Sequence, residues 1–477
     1  MDMWKIPFTF FIILSAVISG LLFWQWDAYS KELEQPADME NANQRISIQT
    51  ETDILVITQK LSGLTGKKEI PFVLPSEVIS WKCLLEDGSE CGRPKESETL
   101  LKPDSKGNIQ IQFTLPIKVN EKAFLFNQWL ASFSNVQVTE TKVELIDSTK
   151  RNGTWVMGIP LKGNKKLDLI DYYVFEGQLA NPSLYWQADS LLQEEVDSKL
   201  MIYSEEEGNL HPIFNSLQQI SNRPHVSVII TNELQEGNGN GIMITRPNIK
   251  PEMIEKKLLY SLLKLKFENL PMEQSWLVDL HVSLLLNMES QISKSNQAIQ
   301  ELKSKLTEKE LESYLQTFLS EETLYTPPYL DEVLAGVTGK RTSFFDENKN
   351  EDTKLIPLYF LEKRNISVKG KVQKNLHIIY MGDQKLFPFE ETLSSLGFQV
   401  KVLSDHETLL LTKGLNSYRF YVNQNIFIYN EEDYGLLENP LTMINDTIYI
   451  DYQWLTSLFN IQIDEDENTV YLKESTH

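Results

Sequence analysis

Along the first third of the chain, apolar and polar residues alternate with period two. The runs ISIQT (46–50), ILVIT (54–58), IQIQFTLPI (109–117) and NVQVTETKVELI (135–146) place apolar side chains at alternate positions. Asp87-Gly88 and Asn152-Gly153 mark turns between such runs. This pattern predicts a β-rich, sandwich-like domain over residues 45–185. The period then lengthens. Residues 188–203 (ADSLLQEEVDSKLMIY), 258–286 and 290–306 read as helices, interrupted by strands in HVSVIIT (225–231) and GIMIT (241–245). A mainly helical domain is therefore expected over 186–345. Thr307 with Glu310 three residues on predicts a capping box, stapled by Leu306 and Leu311. Polar, acidic residues at 30–44 read as a linker, and those at 345–356 as a second join within a connecting segment, 346–376.

The C-terminal region, 377–477, contains an internal repeat. Leu386–Leu411 and Ile448–Leu472 share one pattern: Leu393 matches Leu455, Leu396 matches Leu458, and Asp405 matches Asp466. Each copy reads as strand, helix, strand, acidic turn, strand. Between them SYRFYVNQNIFIYN reads as a hairpin turning at Asn423-Gln424-Asn425. The fold class expected is multidomain α+β.

The N-terminal pattern is different. No charged residue occurs from Ile6 to Trp26, a run that spans about 31 Å as a helix. Trp4, Trp24, Trp26 and Tyr29 bracket it as interfacial rings would. Residues 1–29 are therefore expected to be a transmembrane anchor, making the membrane a partner. The expected localisation is a single-pass cell-membrane protein with an extracytoplasmic body. A cleaved signal peptide is the competing reading, but its apolar core is usually shorter.

Charge narrows the partners. Asp and Glu outnumber Lys and Arg by 67 to 45, a formal charge of −22. An anion of that size repels phosphate backbones, which argues against nucleic acid. The only two cysteines are Cys83 and Cys91. A hairpin centred on Glu86–Gly88 sets Leu85 opposite Ser89 and Cys83 opposite Cys91. A disulfide there suits an exported body; two free thiols are the alternative. No His stands at ligand spacing to make a zinc site with them.

The C-terminal repeat resembles the copper amine oxidase N-terminal-like, or stalk, domain of Gram-positive surface proteins. The likeness rests on the apolar pair before Pro388, LSSLG ending at Gly397, the VKV strand and the closing Thr-apolar-x-apolar strand. It covers about 377–473; in the second copy Ile450 replaces the Pro and Phe459 the Gly. The resemblance implies a small α+β spacing or binding module. His377 and His406 stand alone, so copper is not implied.

Residues 220–345 weakly resemble an aminopeptidase-type gluzincin. The two His ligands would fall on Tyr260 and Lys264, the catalytic Glu on Ser261, and the third ligand near Asp279. A cation and a phenol cannot replace imidazole ligands, so the resemblance implies a fold without its catalyst. Ser261-x-x-Lys264 is an S-x-x-K string with no K-T-G partner. His281 lies two residues from Asp279, a spacing that does not face on a helix; a buried, hydrogen-bonded His is expected. EGNGNG (236–241) leads into a strand rather than a helix N-terminus, which favours a hairpin loop over phosphate binding. DEDEN (464–468) lacks the Gly and distal Glu of a calcium loop.

No catalytic, cofactor-binding or metal-binding residue is assigned. The expected function is a non-catalytic, membrane-anchored scaffold or binding protein outside the cytoplasm of a Gram-positive-type cell. Its partner would be a protein, a peptide or a cell-wall polymer. The alternative is a diverged peptidase-like hydrolase.

Overall fold

The computed structural model describes residues 39–65, 69–85, 88–91, 100–118, 120–206, 214–220, 222–267, 270–320, 324–403 and 407–475. The chain forms two compact units: Met1–Pro212 with Arg223–Lys250, and Ile213–Asn222 with Pro251–His477.

Three of the four sheets among the described residues of the first unit stack, beside a small one of Leu100–Leu101, Ile70–Val73 and Ser132–Phe133. The largest has seven strands in the order Leu161–Lys166, Asp171–Gly177, Val136–Asp147, Glu40–Thr50, Ile54–Ser62, Ile109–Pro116 and Ser80–Leu84. All neighbours are antiparallel except Glu40–Thr50 with Val136–Asp147, which are parallel. The period-two pattern buries one face, with Ile46, Ile48, Ile57, Phe113, Leu145 and Phe175 essentially inaccessible.

A small sheet of Thr154–Met157, Leu184–Gln187 and Ala123–Phe126 covers that face. Every residue of its first two strands is buried. Trp155 and Met157 join the core of the large sheet, while Val156 and Tyr185 point the other way, into a core with Tyr203, Ile229 and Ile244. That second core belongs to a five-stranded sheet of Leu192–Asp197, Leu200–Ser204, Val226–Ile230, Ile242–Thr245 and Gly237–Gly239. Alternation of side chains lets one short sheet serve two cores.

The stretch 188–203, expected to be a helix, instead forms two strands of that sheet. Asp197 closes the turn between them: its carboxylate accepts the Lys199 N–H at 2.7 Å and pairs with the buried Arg223. Leu192–Asp197 is an edge strand with exposed polar side chains, so its LLQEEV spacing mimics helical periodicity without having to bury a face.

In the second unit the helices Pro251–Lys266, Trp276–Leu286, Ser293–Lys305, Glu308–Ser320 and Pro327–Thr338 follow one another. The capping box forms as the spacing predicts. Thr307 N–H donates to the Glu310 carboxylate at 2.8 Å and Glu310 N–H to the Thr307 hydroxyl at 3.3 Å. Trp276–Leu286 is buried nearly all round, including Leu277, Leu280 and Leu284. Leu262 and Leu285, grouped by sequence with this core, lie only half-buried at its margin.

The repeat is visible in the C-terminal part of this unit. Strand Gln384–Pro388, helix Phe389–Ser395 and strands Gln399–Val402 and Thr408–Lys413 are matched by Thr447–Asp451, Tyr452–Phe459, Ile461–Glu465 and Thr469–Glu474. The leading strands of the two copies pair antiparallel, with Phe387 opposite Ile450. Leu393, Leu409, Leu455 and Val470 share one core. The turn role of Gly397 (φ +90°) passes to Asn460 (φ +53°) rather than to Phe459, because Asn tolerates the left-handed region.

The expectation of a transmembrane anchor is corrected. No helix among the described residues is long and apolar enough to cross a membrane, and the run 1–29 lies outside the described residues. Single-pass localisation, the membrane as partner and the transmembrane part of the fold class therefore have no support among the described residues.

Cys83 and Cys91 are joined by a disulfide with Cα atoms 5.4 Å apart. The hairpin geometry matches the register: Leu85 N–H donates to Ser89 O at 2.7 Å and Cys91 N–H to Cys83 O at 3.1 Å, with Gly88 at φ +83°. A loop this short confers about 2–3 kcal/mol through lost unfolded-state entropy. The expected outcome of replacing both cysteines with Ser is a loss of that size, read as a lower denaturation midpoint for the first unit.

Candidate functional site

The helices Pro251–Lys266 and Trp276–Leu286 carry the residues singled out by sequence. Tyr260 is half-buried and Lys264 is exposed. Asp279 is buried and already partnered. Its carboxylate lies 3.7 Å from Lys256 Nζ and accepts the Ser290 hydroxyl. Tyr260 sits near enough that burial, and then the charges of Asp279 and Glu351, raise its phenol above the ordinary range. Lys256 and Ser290 were not anticipated. Their one sequence signal is the i,i+4 spacing of Lys256 and Tyr260, which puts both on one helix face.

His281 is fully buried, as expected, and both ring nitrogens are engaged. Nδ1–H donates to Leu277 O at 2.7 Å, and the Tyr314 hydroxyl donates to Nε2 at 2.8 Å. Phe318 stacks on the ring with centroids 4.2 Å apart, and Phe345 lies at 5.9 Å. Burial pulls its pKa down to about 4, against a lesser opposing effect from the Leu277 carbonyl bond. The imidazole is neutral, with no lone pair free for a metal or a substrate proton.

The stretch 345–356, expected to be a join, is strapped to these helices. Lys294 Nζ donates to Thr353 O at 3.1 Å, to Thr353 Oγ1 at 3.0 Å and to Asn350 O, with its charge 5.3 Å from the Trp276 ring centre. Trp276 Nε1–H donates to Lys349 O at 3.0 Å. Buried Asn348 bonds to Phe344 O and Ile356 O, each at 2.9 Å. Asp331 accepts the Phe345 and Asp346 N–H groups at 2.9 and 3.0 Å, fixing the start of the short helix Phe344–Glu347. Burial pushes Asp331 up to about 7 despite those two bonds.

A Ser–His contact in the first unit is committed on its Ser side, while the buried His225 Nδ1 has no hydrogen-bond partner among the described residues. His225 Nε2 lies 3.1 Å from Ser227 Oγ, but the Ser227 hydroxyl donates to Met157 O at 2.9 Å and is buried. The glycine-rich stretch 236–241 forms a hairpin, as expected, but a pinned one. Ser183 N–H donates to Asn240 O at 3.0 Å, and a Cβ on Gly241 would strike Gly158 O at 2.1 Å. The acidic turn 464–468 is spent on protein partners. Asp464 pairs with Lys473 at 2.6 Å, Glu465 with Arg364 at 2.8 Å, and Asp466 accepts two turn N–H groups. His377 is exposed; His406 lies outside the described residues. Among the described residues no group of three or more His, Cys, Asp or Glu is placed to hold a metal ion.

Residues 367–472 match the copper amine oxidase N-terminal domain. The stalk-like resemblance of the C-terminal region is thereby shown. The match starts within Asn365–Val368, a strand that pairs in parallel with the last strand of the second copy. Nothing among curated proteins matches the chain. Among solved structures, an M1 zinc metallopeptidase from Deinococcus radiodurans is similar at 8% identity and TM-score 0.42, over 67% of this chain and 96% of that one. A mutant of that enzyme bound to a Tyr-Ser-Ala substrate gives 10% and 0.40, over 63% and 91%. Resemblance to M1 zinc metallopeptidases is thus weak and of low identity.

The pH dependence of stability follows from these groups. Between about pH 4 and 6.5 the unfolded chain protonates His281 while the native chain does not, so His281 lowers stability as pH falls through that window. His225, also pulled down to about 4 by burial and then by Arg223 and Lys162, acts in the same sense. Asp331 acts oppositely: the native chain holds its proton up to about pH 7, so stability is lost as pH rises from about 4 to 7. Unfolding free energies of wild type and His281→Gln, measured from pH 4 to 7, are expected to show a shallower acid-side loss in the variant. Parallel profiles would contradict the neutral, buried imidazole.

Proposed function

We propose that this chain is a non-catalytic binding or scaffold protein that works outside the cytoplasm, at a Gram-positive-type cell envelope. One observation carries the reading: the chemically capable side chains of the central helices are engaged by the protein itself. His281 has both nitrogens bonded, and Asp279 is held by Lys256 and Ser290. General acid–base or metal-assisted chemistry needs such groups directed at a substrate. The disulfide supports an oxidising compartment. The match of residues 367–472 to a domain that resembles stalk modules supports a role at the envelope. The partner class proposed is a protein, a peptide or a wall polymer.

The test is metal content and peptide hydrolysis of the purified chain. The expected result is zinc well below one equivalent after dialysis, with no chelator-sensitive turnover of a peptide library. Stoichiometric zinc with turnover abolished by chelator and restored by metal would overturn the reading.

A further inference from the structure

The open face of the seven-stranded sheet holds a feature that the fold does not need. Register places Lys142, Arg45 and Lys60 directly opposite one another on three neighbouring strands. Adjacent strands lie about 4.8 Å apart, and like charges at opposed positions destabilise a sheet. Lys142 is offset by Glu144 at 3.3 Å, and Glu176 stands opposite it. Arg45 and Lys60 have no ion-pair partner among the described residues, in a chain of net charge −22. The uncompensated end of the row thus lies at Arg45 and Lys60.

The row continues from Lys60 to Gln110 and Leu84, and there the surface opens into a cleft. Its lining includes Lys60, Lys102, Asn108 and Gln110, beside the Cys83–Cys91 hairpin. Asp104 also lines it, but its carboxylate is tied to its own turn by the Lys106 and Asn108 N–H groups, each at 2.8 Å. The next row of the same face reads Glu144, Ser47, Thr58, Gln112 and Lys82, none of them buried. Ser80 and Thr114 bond through their hydroxyls at 2.9 Å.

This chemistry discriminates between occupants. Protein interfaces concentrate aromatic anchors and are depleted in Lys and Ser. Here the centre is cationic, hydroxyl-bearing and amide-bearing, and Tyr172, toward one edge, is the one aromatic side chain offered among the described residues. We propose that this face binds a linear anionic polysaccharide. One carboxylate would seat in the cleft between Lys60 and Lys102, the next on Arg45, and sugar hydroxyls on the Ser, Thr and Gln rows. The inference rests on the binding-protein reading and names its ligand class.

Polygalacturonate is the probe, titrated into the full chain at about 50 and about 300 mM salt. Binding is expected at low salt and is expected to weaken at high salt. The double variant Arg45→Gln/Lys60→Gln should lose about tenfold or more in affinity. Lys371→Gln/Lys374→Gln, an equal charge change at exposed positions of the second unit, should stay within about twofold. Because the first variant removes a like-charged pair, its melting temperature should not fall, which separates lost binding from lost fold. Equal losses in both variants, no binding of polygalacturonate, or tighter binding of poly-glutamate or a glycerol-phosphate polymer would each overturn the inference. If polygalacturonate fails while the chain still shows neither zinc nor hydrolysis, the non-catalytic reading stands and only the ligand assignment falls.

Discussion

A polar group taken out of water must find a partner inside the protein or cost the fold about 1–3 kcal/mol. In the helical part of this chain that constraint is met mainly by internal pairing. Leu277 O and Tyr314 occupy His281, Lys256 and Ser290 occupy Asp279, the Asn350 and Thr353 carbonyls occupy Lys294, and two backbone N–H groups occupy Asp331. The exceptions in this part are single atoms, such as Ser283 Oγ and one carboxylate oxygen of Glu347. Satisfying the interior stabilises the fold and, by the same contacts, removes groups that could have acted on a substrate.

Much of the fold was legible because its signals are local. Alternation gave the strands at 46–50, 54–58, 109–117 and 135–146, and Thr307 with Glu310 marked a helix start. The spacing of Cys83 and Cys91 set the hairpin register, and the internal match around Leu393 and Leu455 marked two copies of one unit. Signals that depend on a third party were not legible. Residues 188–203 have a helix-like spacing, yet neighbouring strands at Val226–Ile230 and the Arg223–Asp197 pair place them in a sheet. The stretch 345–356 is polar and acidic, yet Lys294, more than fifty residues upstream, ties it down.

The candidate site shows the same division. The fate of His281 could be anticipated, since an isolated His on an apolar helix is most cheaply buried neutral. The occupation of Asp279 by Lys256 could not, because it depends on how two helices cross. Nor could the row of Lys142, Arg45 and Lys60, whose members are scattered along the chain and meet only through strand pairing. The polar faces of sheets look like solubility in one dimension and acquire pattern only in register.

The state of His281 is the most direct test of the account. Heteronuclear NMR of the imidazole nitrogens reports tautomer, protonation and metal contact together. A buried ring bonded to Leu277 O and Tyr314 should stay in the Nδ1–H neutral form from pH 7 down to about 4, with shifts unchanged on adding zinc. A ring that titrates near its ordinary value of about 6.5, or whose nitrogens shift with one equivalent of zinc, would mean that the interior is open to ligand and the central helices hold a working site.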